Sequence, residues 1–521
     1  MRNFTKTDTS PYNGLIPHTL KVYPIVQVSP NIGPMPQDKW PLQEKKSFIS
    51  WKEKTGGSSN CNIFYVHIPF CPFLCHFCPL YKVKKNKYRT NDYKAVFVDH
   101  LIQEIEFYGQ CAATKDQEYS AIYFGGGTPT ELTPEQLILI LNTIKNNFKI
   151  SSNAEITLEG VAKQMLQENY LAKCFEGGFN RISFGVQSID EGLRKAIGRG
   201  DKVEDYTGVI SLCRNEFPWV TVNIDLMACL PGQSFEILKN DIETVISWNL
   251  DSIDVLYFTM TVDTKLNKFV QAGKRAAPVY GRSLAKARGY INNKMLKSGY
   301  KQVTGEVFVK VDDNRFVENS FGGVGNRLNT VLAVGPSSFG LIGGTSYQNT
   351  SNFEEYLQNI DDKLFPITRA ESLNARKAKI RAQVLSVLQL YIPKFLMDSA
   401  SDQRLIRSWH KKNLIVEEEQ VYRLTTEGKK WFNLMQMDFL QLSDKINMLR
   451  FFGDARALDK LMEDEEKGEL LSHEKELLKV IFSQNKPRKK MERFLFKSYL
   501  KLRKLPFFET ESVGFAGVVN S

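Results

Sequence analysis

The segment Tyr65-Val-His-Ile-Pro-Phe-Cys-Pro-Phe-Leu-Cys-His-Phe-Cys78 decides how the chain is interpreted. It places Cys71, Cys75 and Cys78 in a C-x3-C-x2-C spacing, directly after a short apolar run that is typical of a strand. A group of thiolates is the preferred environment of an iron–sulfur cluster. A cluster of four irons takes four ligands, and this loop offers three. The sequence therefore predicts a cluster with one open iron, at which a small molecule binds.

Two other uses of these cysteines are a structural zinc site and disulfide bonds. A zinc site would add His67 or His76 to the thiolates, but closed zinc sites pair two short Cys/His knuckles that lie far apart in sequence. With six histidines in the chain, no second knuckle is visible. The polar start of the chain lacks the apolar segment of a signal peptide, so we expect a reducing, anaerobic cytoplasm and free thiols. The remaining cysteines are scattered, mostly in apolar runs: Cys61, Cys111, Cys174, Cys213 and Cys229.

The composition is that of an ordinary globular protein. Of 521 residues, 42% are hydrophobic and 24% are charged, which is enough for a large core in two or three domains. No apolar stretch reaches the ~18 uninterrupted residues that a membrane span needs. The net charge of +11 fits an acidic partner such as nucleic acid or anionic lipid, or a substrate with several carboxylates. Part of it lies in 486–504, where basic and apolar residues are interleaved as in an amphipathic helix or a solvated helix face.

After residue 60, short apolar runs alternate with longer helical patterns. This alternation is typical of βαβ units around a parallel sheet that is buried on both faces. Six such units predict an α/β fold, a partial (β/α)6 barrel of the TIM type, with functional residues at the C-terminal strand ends. The predicted strands are Phe64–Ile68, Ala121–Gly125, Ala154–Glu159, Arg181–Gln187, Val220–Met227 and Ser252–Met260. The predicted helices are Asp92–Tyr108, Pro134–Phe148, Ala162–Phe175, Val203–Phe217 and Phe235–Trp248.

A change of pattern near residue 371 marks a second module. Within Leu414–Gly428, two short strands flank an acidic turn and a helix opens at Thr425 or Thr426, as in a winged helix. The predicted regions are 1–60, an N-terminal extension; 61–370, the barrel with its C-terminal extension; 371–445, a winged-helix-like module that covers the substrate; and 446–521, a helical basic tail.

Further candidate residues follow the predicted strands. Three glycines, Gly125–Gly127, let backbone groups approach a ligand closely after the second strand. Glu159 ends the third strand and Asp225 the fifth, where each carboxylate can accept hydrogen bonds from a ribose, and that of Glu159 also from an ammonium group. Gln187 closes the fourth strand and Arg199 follows it, and an arginine forms a charge-assisted pair with a carboxylate. Each residue alone is typical of ordinary structure, but on consecutive strand ends they predict one site.

Together these motifs resemble the radical S-adenosylmethionine (SAM) superfamily and, within it, the oxygen-independent coproporphyrinogen III oxidase family. The resemblance runs from about Tyr65 to Phe432. It implies reductive cleavage of SAM to a 5′-deoxyadenosyl radical, for which the protein supplies orientation and exclusion of water. The matching motifs are Tyr65-Val-His-Ile-Pro-Phe-Cys71, Gly125-Gly-Gly-Thr-Pro129, Arg181-Ile-Ser-Phe-Gly-Val-Gln-Ser188, Leu230-Pro-Gly-Gln233, Gly299-Tyr-Lys-Gln302, Val334-Gly-Pro-Ser-Ser-Phe-Gly340 and Leu424-Thr-Thr-Glu-Gly428.

The resemblance also implies a role for each matching residue. The three loop cysteines hold a 4Fe–4S cluster. A second SAM can bind beside the first in this family, where Gln187 and Met227 match positions that touch it. The candidate catalytic residues are Tyr65, Gln187 and Asp225. The residues that line the first SAM are Tyr65, Phe77, Gly126, Gly127, Thr128, Glu159, Gln187, Arg199 and Asp225.

The chain departs from the oxidase pattern at two positions. The oxidases carry a fourth cysteine two residues after the third, where this chain has Leu80, and a glycine where it has Cys229. The His-Asn-x-x-Tyr-Trp signature of the heme-chaperone members has no equivalent around Asp313–Phe316. These differences leave the radical machinery intact and argue against propionate decarboxylation and heme carriage.

What remains is the two-SAM class C methylase branch of this family, in which the second SAM donates carbon to an sp2 carbon. We therefore predict a cytoplasmic radical SAM enzyme that transfers a methyl or methylene group to a heme-type tetrapyrrole or an aromatic or unsaturated natural product. The implied partners are a planar or unsaturated small molecule and an electron donor such as flavodoxin or ferredoxin, rather than nucleic acid. The alternatives are oxidative decarboxylation of coproporphyrinogen III and a non-catalytic heme-binding protein.

Overall fold

The structure, a computed structural model, describes residues 35–36, 62–83, 91–261, 264–276, 278–279, 281–310, 330–342, 344–372 and 375–440. Most of the predicted extension over 1–60, the Asp313–Phe316 segment and the predicted tail over 446–521 lie outside the described residues. The strands are β1 (Met35–Pro36), β2 (Asn62–Ile68), β3 (Glu118–Gly126), β4 (Lys149–Gly160), β5 (Arg181–Gln187), β6 (Thr221–Ala228), β7 (Ser252–Tyr257), β8 (Tyr300–Gln302), β9 (Val307–Lys310), β10 (Val331–Val334), β11 (Phe339–Ile342), β12 (Thr345–Asn349), β13 (Leu364–Phe365), β14 (Ile367–Ser372), β15 (Tyr391–Pro393), β16 (Ile415–Glu417) and β17 (Val421–Leu424).

Helices alternate with the strands of the first half of the chain and dominate its last described part. None of the described helices is long and apolar enough to cross a membrane. Two short 3-10 helices cover Pro129–Glu131 and Lys394–Leu396. The α-helices are Asn91–Gly109, Ala112–Lys115, Pro134–Asn147, Ala162–Met165, Tyr170–Glu176, Glu191–Ala196, Val203–Glu216, Phe235–Ser247, Lys265–Gln271, Gly281–Lys297, Phe353–Asp361, Ala375–Leu388, Ala400–Lys411 and Gly428–Asp438.

Six parallel strands, β2 to β7 in chain order, form the centre of one large sheet. β10 adds a further parallel strand beside β2, and antiparallel strands extend both edges, in the order β14-β12-β11-β10-β2-β3-β4-β5-β6-β7-β9-β8. Helices connect the parallel strands and cover the sheet, because a parallel pair needs a crossover connection. The predicted partial (β/α)6 barrel is confirmed, and the six predicted strands are all present.

The inner face of this barrel is polar. Arg181 at the start of β5 is buried, and its guanidinium donates to Thr157 Oγ1 and to Ser252 Oγ at 3.4 Å each. The Glu155 carboxylate lies 3.9 Å from the same guanidinium. Because side chains alternate across a strand, the next inward positions of β4 lead to Glu159 at the open end. The polar interior thus continues to the C-terminal strand ends, where the candidate site residues were predicted.

Two local details differ from the sequence prediction. The predicted helix over 162–175 is two short helices, Ala162–Met165 and Tyr170–Glu176, separated at Asn169, whose φ is +55°. In the C-terminal module the last helix begins at Gly428 rather than at Thr425 or Thr426. The Thr425 hydroxyl instead accepts a hydrogen bond from Gly428 N at 3.0 Å, and so caps the first turn.

A buried arginine joins the C-terminal module to the barrel. Arg288 lies between two rings, with its guanidinium carbon 4.3 Å from the Tyr257 ring centroid and 4.5 Å from that of Phe432. It donates to the Lys430 carbonyl at 2.9 Å and also bonds Asn433 Oδ1. Such a stacked and hydrogen-bonded cation is strongly held in one geometry. The helix Gly428–Asp438 is therefore fixed on the barrel by one side chain that contacts both units.

A buried carboxylate fixes the other edge of the sheet. Glu104 is fully buried on the helix Asn91–Gly109, and its carboxylate accepts from Gly335 N at 2.8 Å, Asn349 Nδ2 at 2.7 Å and Tyr356 Oη at 2.6 Å. Burial raises the pKa of Glu104 to about 7, although the three donors lower it. The carboxylate thus ties the end of β10 to β12 and to the helix Phe353–Asp361.

The Glu104→Gln variant tests this contact. Glutamine offers one acceptor oxygen in place of two, so at least one of the three buried donors loses its partner. We expect the free energy of unfolding to fall by about 2 kcal/mol. Urea denaturation followed by circular dichroism measures it, with Glu106→Gln, an exposed position of the same helix, as the control. Equal stability of the two variants would contradict the role of Glu104.

Candidate active site

The cysteine loop follows β2 and is held by one backbone hydrogen bond at its base and by two to other segments. Val83 N donates to the Pro69 carbonyl at 2.8 Å and closes the loop at its base. In the middle of the loop, His76 N donates to the Ile197 carbonyl and the His76 carbonyl accepts from Leu266 N, both at 2.8 Å. These bonds fix the path of the loop at the C-terminal ends of the strands, although the three cysteines are only partly buried.

The three thiols lie close enough to influence one another. Burial raises the pKa of Cys71 to about 12, and the charges of Cys78 and Cys75 raise it further, while nearby Lys82 lowers it. The Lys82 ammonium interacts with all three thiol groups and donates to the carbonyls of Cys78 and Leu80 at 3.3 Å each. Among the described residues, no three His, Cys, Asp or Glu side chains converge on one metal ion. A cluster differs from a single ion in this respect, because each thiolate binds its own iron.

Both histidines that a zinc site would use are engaged elsewhere. The buried His67 ring places Nδ1 3.3 Å from Tyr65 Oη and Nε2 3.4 Å from the Tyr81 carbonyl, and burial lowers its pKa to about 4. His76 Nδ1 lies 3.1 Å from the Ala196 carbonyl. The ring nitrogens of His67 are thus both taken up by hydrogen bonds that support the loop.

The glycine run at the end of β3 lies directly against this loop. Gly127 N donates to the Ile68 carbonyl at 2.7 Å. A Cβ atom at Gly127 would lie 2.5 Å from the Phe70 carbonyl oxygen, so glycine is required for this approach. Next along the chain, Thr128 Oγ1 donates to Cys71 Sγ at 3.6 Å. The predicted Gly126, Gly127 and Thr128 are therefore brought together with the cysteine loop.

Glu159 lies at the end of β4 and is surrounded by charge. Burial raises its pKa to about 8, and the Asp225 and Asp254 charges add to this, while Gly126 N and Arg199 lower it. Asp225 on β6 in turn accepts from Ser183 Oγ at 3.4 Å and from Asn223 Nδ2 at 3.3 Å. Two half-buried carboxylates thus lie close to each other, which favours a cationic ligand such as an ammonium or sulfonium group.

Gln187 and Arg199 meet across Gly185. A Cβ atom at Gly185 would collide with Gln187 Nε2 and would lie 3.5 Å from Arg199 Nη1, so the glycine keeps both side chains in place. The Arg199 guanidinium uses Nε and Nη2 to bond Asp201, and Nη2 also bonds the Gly185 carbonyl. Burial lowers the pKa of Arg199, but the charges of Cys75 and Asp201 together outweigh this and raise it. Arg199 therefore stays charged and close to Cys75.

The Gln187 amide oxygen is a buried acceptor to which none of the described residues donates. Gln187 is 7% exposed, and in the described part of the chain its Oε1 has no hydrogen-bond partner. Its backbone has a φ of +67°, which is strained for a residue other than glycine. A buried polar atom of this kind is satisfied by an ordered water or by a bound ligand, and its place at a strand end beside Arg199 favours the ligand.

The remaining predicted residues surround this space on both sides. The Tyr65 ring stacks on that of Tyr123 with centroids 6.2 Å apart. Met227 belongs to a small apolar cluster between the cysteine loop and the strand ends, against which Phe77 packs. The structure therefore brings all the predicted site residues to one end of the barrel.

Sequence reasoning missed Lys82, Asp201 and Asp241. Lys82 and Asp201 contact the predicted residues Cys78 and Arg199. Asp241 contacts Ser188 and Ile189, which follow the predicted Gln187. Lys82 had a visible signal, since it follows Cys78 by four residues in the same loop. Asp201 also had one, because it lies two residues after Arg199. Asp241 had none, because its partners lie in segments that only the fold brings together.

Comparisons with known proteins identify the family. Residues 65–245 match the model of the radical SAM superfamily. These residues form a radical SAM domain. Over 416 residues the chain is 26% identical to an anaerobilin synthase from Escherichia coli O157:H7, covering 78% of this chain and 90% of the relative. Over 410 residues it is 26% identical to an oxygen-independent coproporphyrinogen III oxidase from Escherichia coli K12. This match covers 74% of this chain and 87% of that relative. The resemblance to the coproporphyrinogen III oxidase-like family is thus confirmed.

A solved structure of a related radical SAM enzyme shows the same fold. It is the coproporphyrinogen III oxidase HemN from Escherichia coli, with 22% identity and a TM-score of 0.62. The superposition covers 78% of this chain and 94% of that chain. The partial barrel and the helical module that follows it are therefore shared with that radical SAM protein.

The cofactors of the radical SAM superfamily are a 4Fe–4S cluster and SAM, as predicted. The residues described above fit both. Three neighbouring thiols form the donor set of a cluster with one open iron. The glycine run offers backbone groups, the Glu159 and Asp225 carboxylates match a cation, and Gln187 Oε1 offers an unsatisfied acceptor.

Proposed function

We propose that this radical SAM enzyme binds two SAM molecules and transfers a methyl or methylene group to an sp2 carbon of a tetrapyrrole, or of another aromatic or unsaturated compound. The observation that carries the proposal is Oε1 of Gln187 at the end of β5, a buried atom that accepts no hydrogen bond from the part of the chain that the structure describes. It lies across Gly185 from Arg199 and on the strand next to that of Met227. By resemblance, Gln187 is within reach of both SAM molecules and Met227 is within reach of the second.

In this proposal the chain's own residues bind and orient the cofactors. Cys71, Cys75 and Cys78 hold the cluster, which when bound supplies the electron that cleaves SAM to methionine and a 5′-deoxyadenosyl radical. The glycine run meets the methionine end of SAM with backbone groups, and Glu159 accepts from a ribose or an ammonium group. Arg199 Nη1, which faces Gly185, pairs with the SAM carboxylate. Asp225 accepts from a ribose hydroxyl.

Support for a tetrapyrrole comes from the names of the relatives. One makes anaerobilin, which by its name is a bilin, and another acts on coproporphyrinogen III. The net charge of +11 suits a substrate with several carboxylates. Leu80, at the position of the oxidases' fourth cysteine, is 42% exposed on the cysteine loop. This difference favours methyl transfer over coproporphyrinogen oxidation, which is the second candidate because of the oxidase relatives.

Product analysis after anaerobic reconstitution of the cluster tests the proposal. The enzyme is incubated with SAM, a strong reductant, and heme or coproporphyrinogen III, and the products are measured by mass spectrometry. We expect 5′-deoxyadenosine together with S-adenosylhomocysteine. 5′-Deoxyadenosine with a decarboxylated porphyrinogen and no homocysteine product would favour the oxidase. Neither product from fully loaded protein would favour a heme-binding role, which a heme titration then measures.

Electrons are proposed to enter through the exposed face of the cysteine loop. Leu74 on this loop is 50% exposed. The helix Lys265–Gln271 lies against the loop through the bond from Leu266 N to the His76 carbonyl. This helix and the residues after it carry exposed cations and no acidic residue through residue 276. An acidic electron carrier of the flavodoxin or ferredoxin type complements this charge. The exposed cations are Lys265, Lys268, Lys274 and Arg275.

The Lys265→Glu variant tests this entry point. We expect SAM cleavage driven by reduced flavodoxin to slow about tenfold, because electrostatic steering of association is lost. Cleavage driven by dithionite, a small reductant, stays at the wild-type rate. Lys149→Glu, at the opposite end of β4, is the control with the same charge change. A parallel loss with both reductants, or no loss with flavodoxin, would contradict the assignment.

A further inference from the structure

A buried carboxylate outside the predicted site connects two of its strands. Asp241 lies on the helix Phe235–Ser247 and is fully buried. Its carboxylate accepts from Ser188 Oγ at 2.9 Å and from Ile189 N at 2.7 Å, both just after the end of β5. It also accepts from Gln233 Nε2 at 2.8 Å, in the turn that follows β6. Three donors thus meet at one side chain, and the Ser188 hydroxyl lies within hydrogen-bond distance of both carboxylate oxygens.

Gln233 extends this network to the end of β6. Its Nε2 also donates to the Met227 carbonyl at 3.2 Å, and its Oε1 accepts from Leu230 N at 3.2 Å. The network therefore holds the backbone around Met227 relative to the backbone after Gln187. In a parallel sheet the loops after neighbouring strands are otherwise independent, so their relative position depends on such contacts.

Both strand ends carry strained backbone beside this network. Gln187 precedes Ser188 and has a φ of +67°, and Cys229, between Met227 and Gln233, also has a φ of +67°. A left-handed conformation in a non-glycine residue costs about 1–3 kcal/mol and persists only where the surroundings hold it. The hydrogen bonds from Ser188 and Ile189 to Asp241 hold the backbone directly after Gln187, and so stabilise the left-handed conformation of Gln187.

We propose that Asp241 is a positioning residue for SAM binding: its carboxylate fixes the backbone at Gln187 and so directs the unsatisfied Gln187 amide oxygen toward SAM. This inference rests on the proposed role of Gln187. Asp241 does not itself contact the ligand, so its effect passes through Gln187. Removing the carboxylate therefore weakens SAM binding without removing the cluster.

The test is the Asp241→Asn variant. Asparagine keeps the volume but replaces one oxygen with an NH2 group, which then faces either Ile189 N or the Gln233 amide, both donors. We expect the dissociation constant of SAM for the cluster-loaded protein, measured by equilibrium dialysis, to rise about tenfold. Iron content stays at the wild-type value. The change that SAM causes in the electron paramagnetic resonance spectrum of the reduced cluster shrinks in parallel at subsaturating SAM.

Four further variants show whether Asp241 positions Gln187 or only stabilises the fold. Glu243→Gln, on the same helix but exposed and paired with Lys294, leaves SAM affinity unchanged. The Gln187→Ala/Asp241→Asn double variant binds SAM as weakly as Gln187→Ala alone, because Asp241 acts through Gln187. If Asp241→Asn fails to load iron, Ser188→Ala provides the milder test, with SAM binding about threefold weaker.

Additive losses in the double variant, or wild-type SAM affinity in Asp241→Asn, would overturn the inference. These binding measurements need no substrate. A wild-type enzyme that forms no S-adenosylhomocysteine would therefore overturn the proposed methyl transfer while leaving the effect of Asp241 measurable.

Discussion

Replacing Cys75 with alanine is expected to abolish both the visible absorption of the cluster and the cleavage of SAM. Two thiols do not hold a four-iron cluster that needs three protein ligands, and Cys75 lies between Cys71 and Cys78 in the loop. Its thiol also faces Arg199, whose charge lowers the thiol pKa against the larger effect of burial. The measurements are the absorption spectrum and iron content after anaerobic reconstitution, and 5′-deoxyadenosine formed with dithionite.

Cys111→Ala is the matched control for this variant. Cys111 is a partly buried cysteine whose thiol bonds the Phe107 carbonyl at 3.4 Å, away from the loop. It should keep the cluster and the wild-type rate of cleavage. SAM cleavage retained by Cys75→Ala would exclude the loop as the cluster site, and equal losses in both variants would point to general destabilisation.

SAM affinity is expected to rise with pH and to level off above pH 8, because the Glu159 carboxyl group ionises in this range. Its pKa is raised to about 8 by burial and by Asp225 and Asp254, so the carboxyl is largely protonated at neutral pH without a ligand. A cationic ligand binds the ionised form, so below pH 8 a proton must leave on binding. The dissociation constant should therefore increase by about tenfold for each pH unit below 8. Arg199 and Tyr123 also face this carboxylate.

The Glu159→Gln variant separates this effect from the titration of SAM itself. Equilibrium dialysis between pH 6 and pH 9 is compared for the two proteins. The variant should bind SAM weakly at pH 9 and should lose the part of the pH dependence that belongs to Glu159. Any slope that remains belongs to the amino group of the ligand. Identical slopes in the two proteins would show that Glu159 does not meet the SAM cation.

The sequence predicted the barrel because its strands are short apolar runs with helical patterns between them. β5 was predicted to the residue, since Arg181–Gln187 is bounded by a turn on each side. The break at Asn169 was missed because the apolar pattern continues across it. The hydroxyl of Thr425 caps the last helix, which begins at Gly428. The sequence has two adjacent threonines, Thr425 and Thr426, and does not show which of them supplies the capping hydroxyl.

The parts of the candidate site that could be predicted are those in which the residue type itself indicates the chemistry. The cysteine spacing, the glycine run and the carboxylates at the strand ends are local features of the sequence. Part of the support around them is local, since Asp201 lies two residues after Arg199, the residue that it bonds. Another part is not, since Asp241 meets Ser188 from 53 residues away. Longer-range partners of this kind are set by packing, which a single sequence does not reveal.

The arginine between Tyr257 and Phe432 also decides which changes of the C-terminal module leave it attached to the barrel. The barrel contributes the cation and one ring, and the C-terminal helix contributes the second ring, a carbonyl and an amide. The Phe432 ring of the C-terminal helix therefore inserts into a gap in the barrel. Gly305 leaves room for this ring, because a Cβ atom there would lie 2.5 Å from it. A variant that keeps a ring and a carbonyl at the same place therefore keeps the helix Gly428–Asp438 attached to the barrel, even when other residues of the module change.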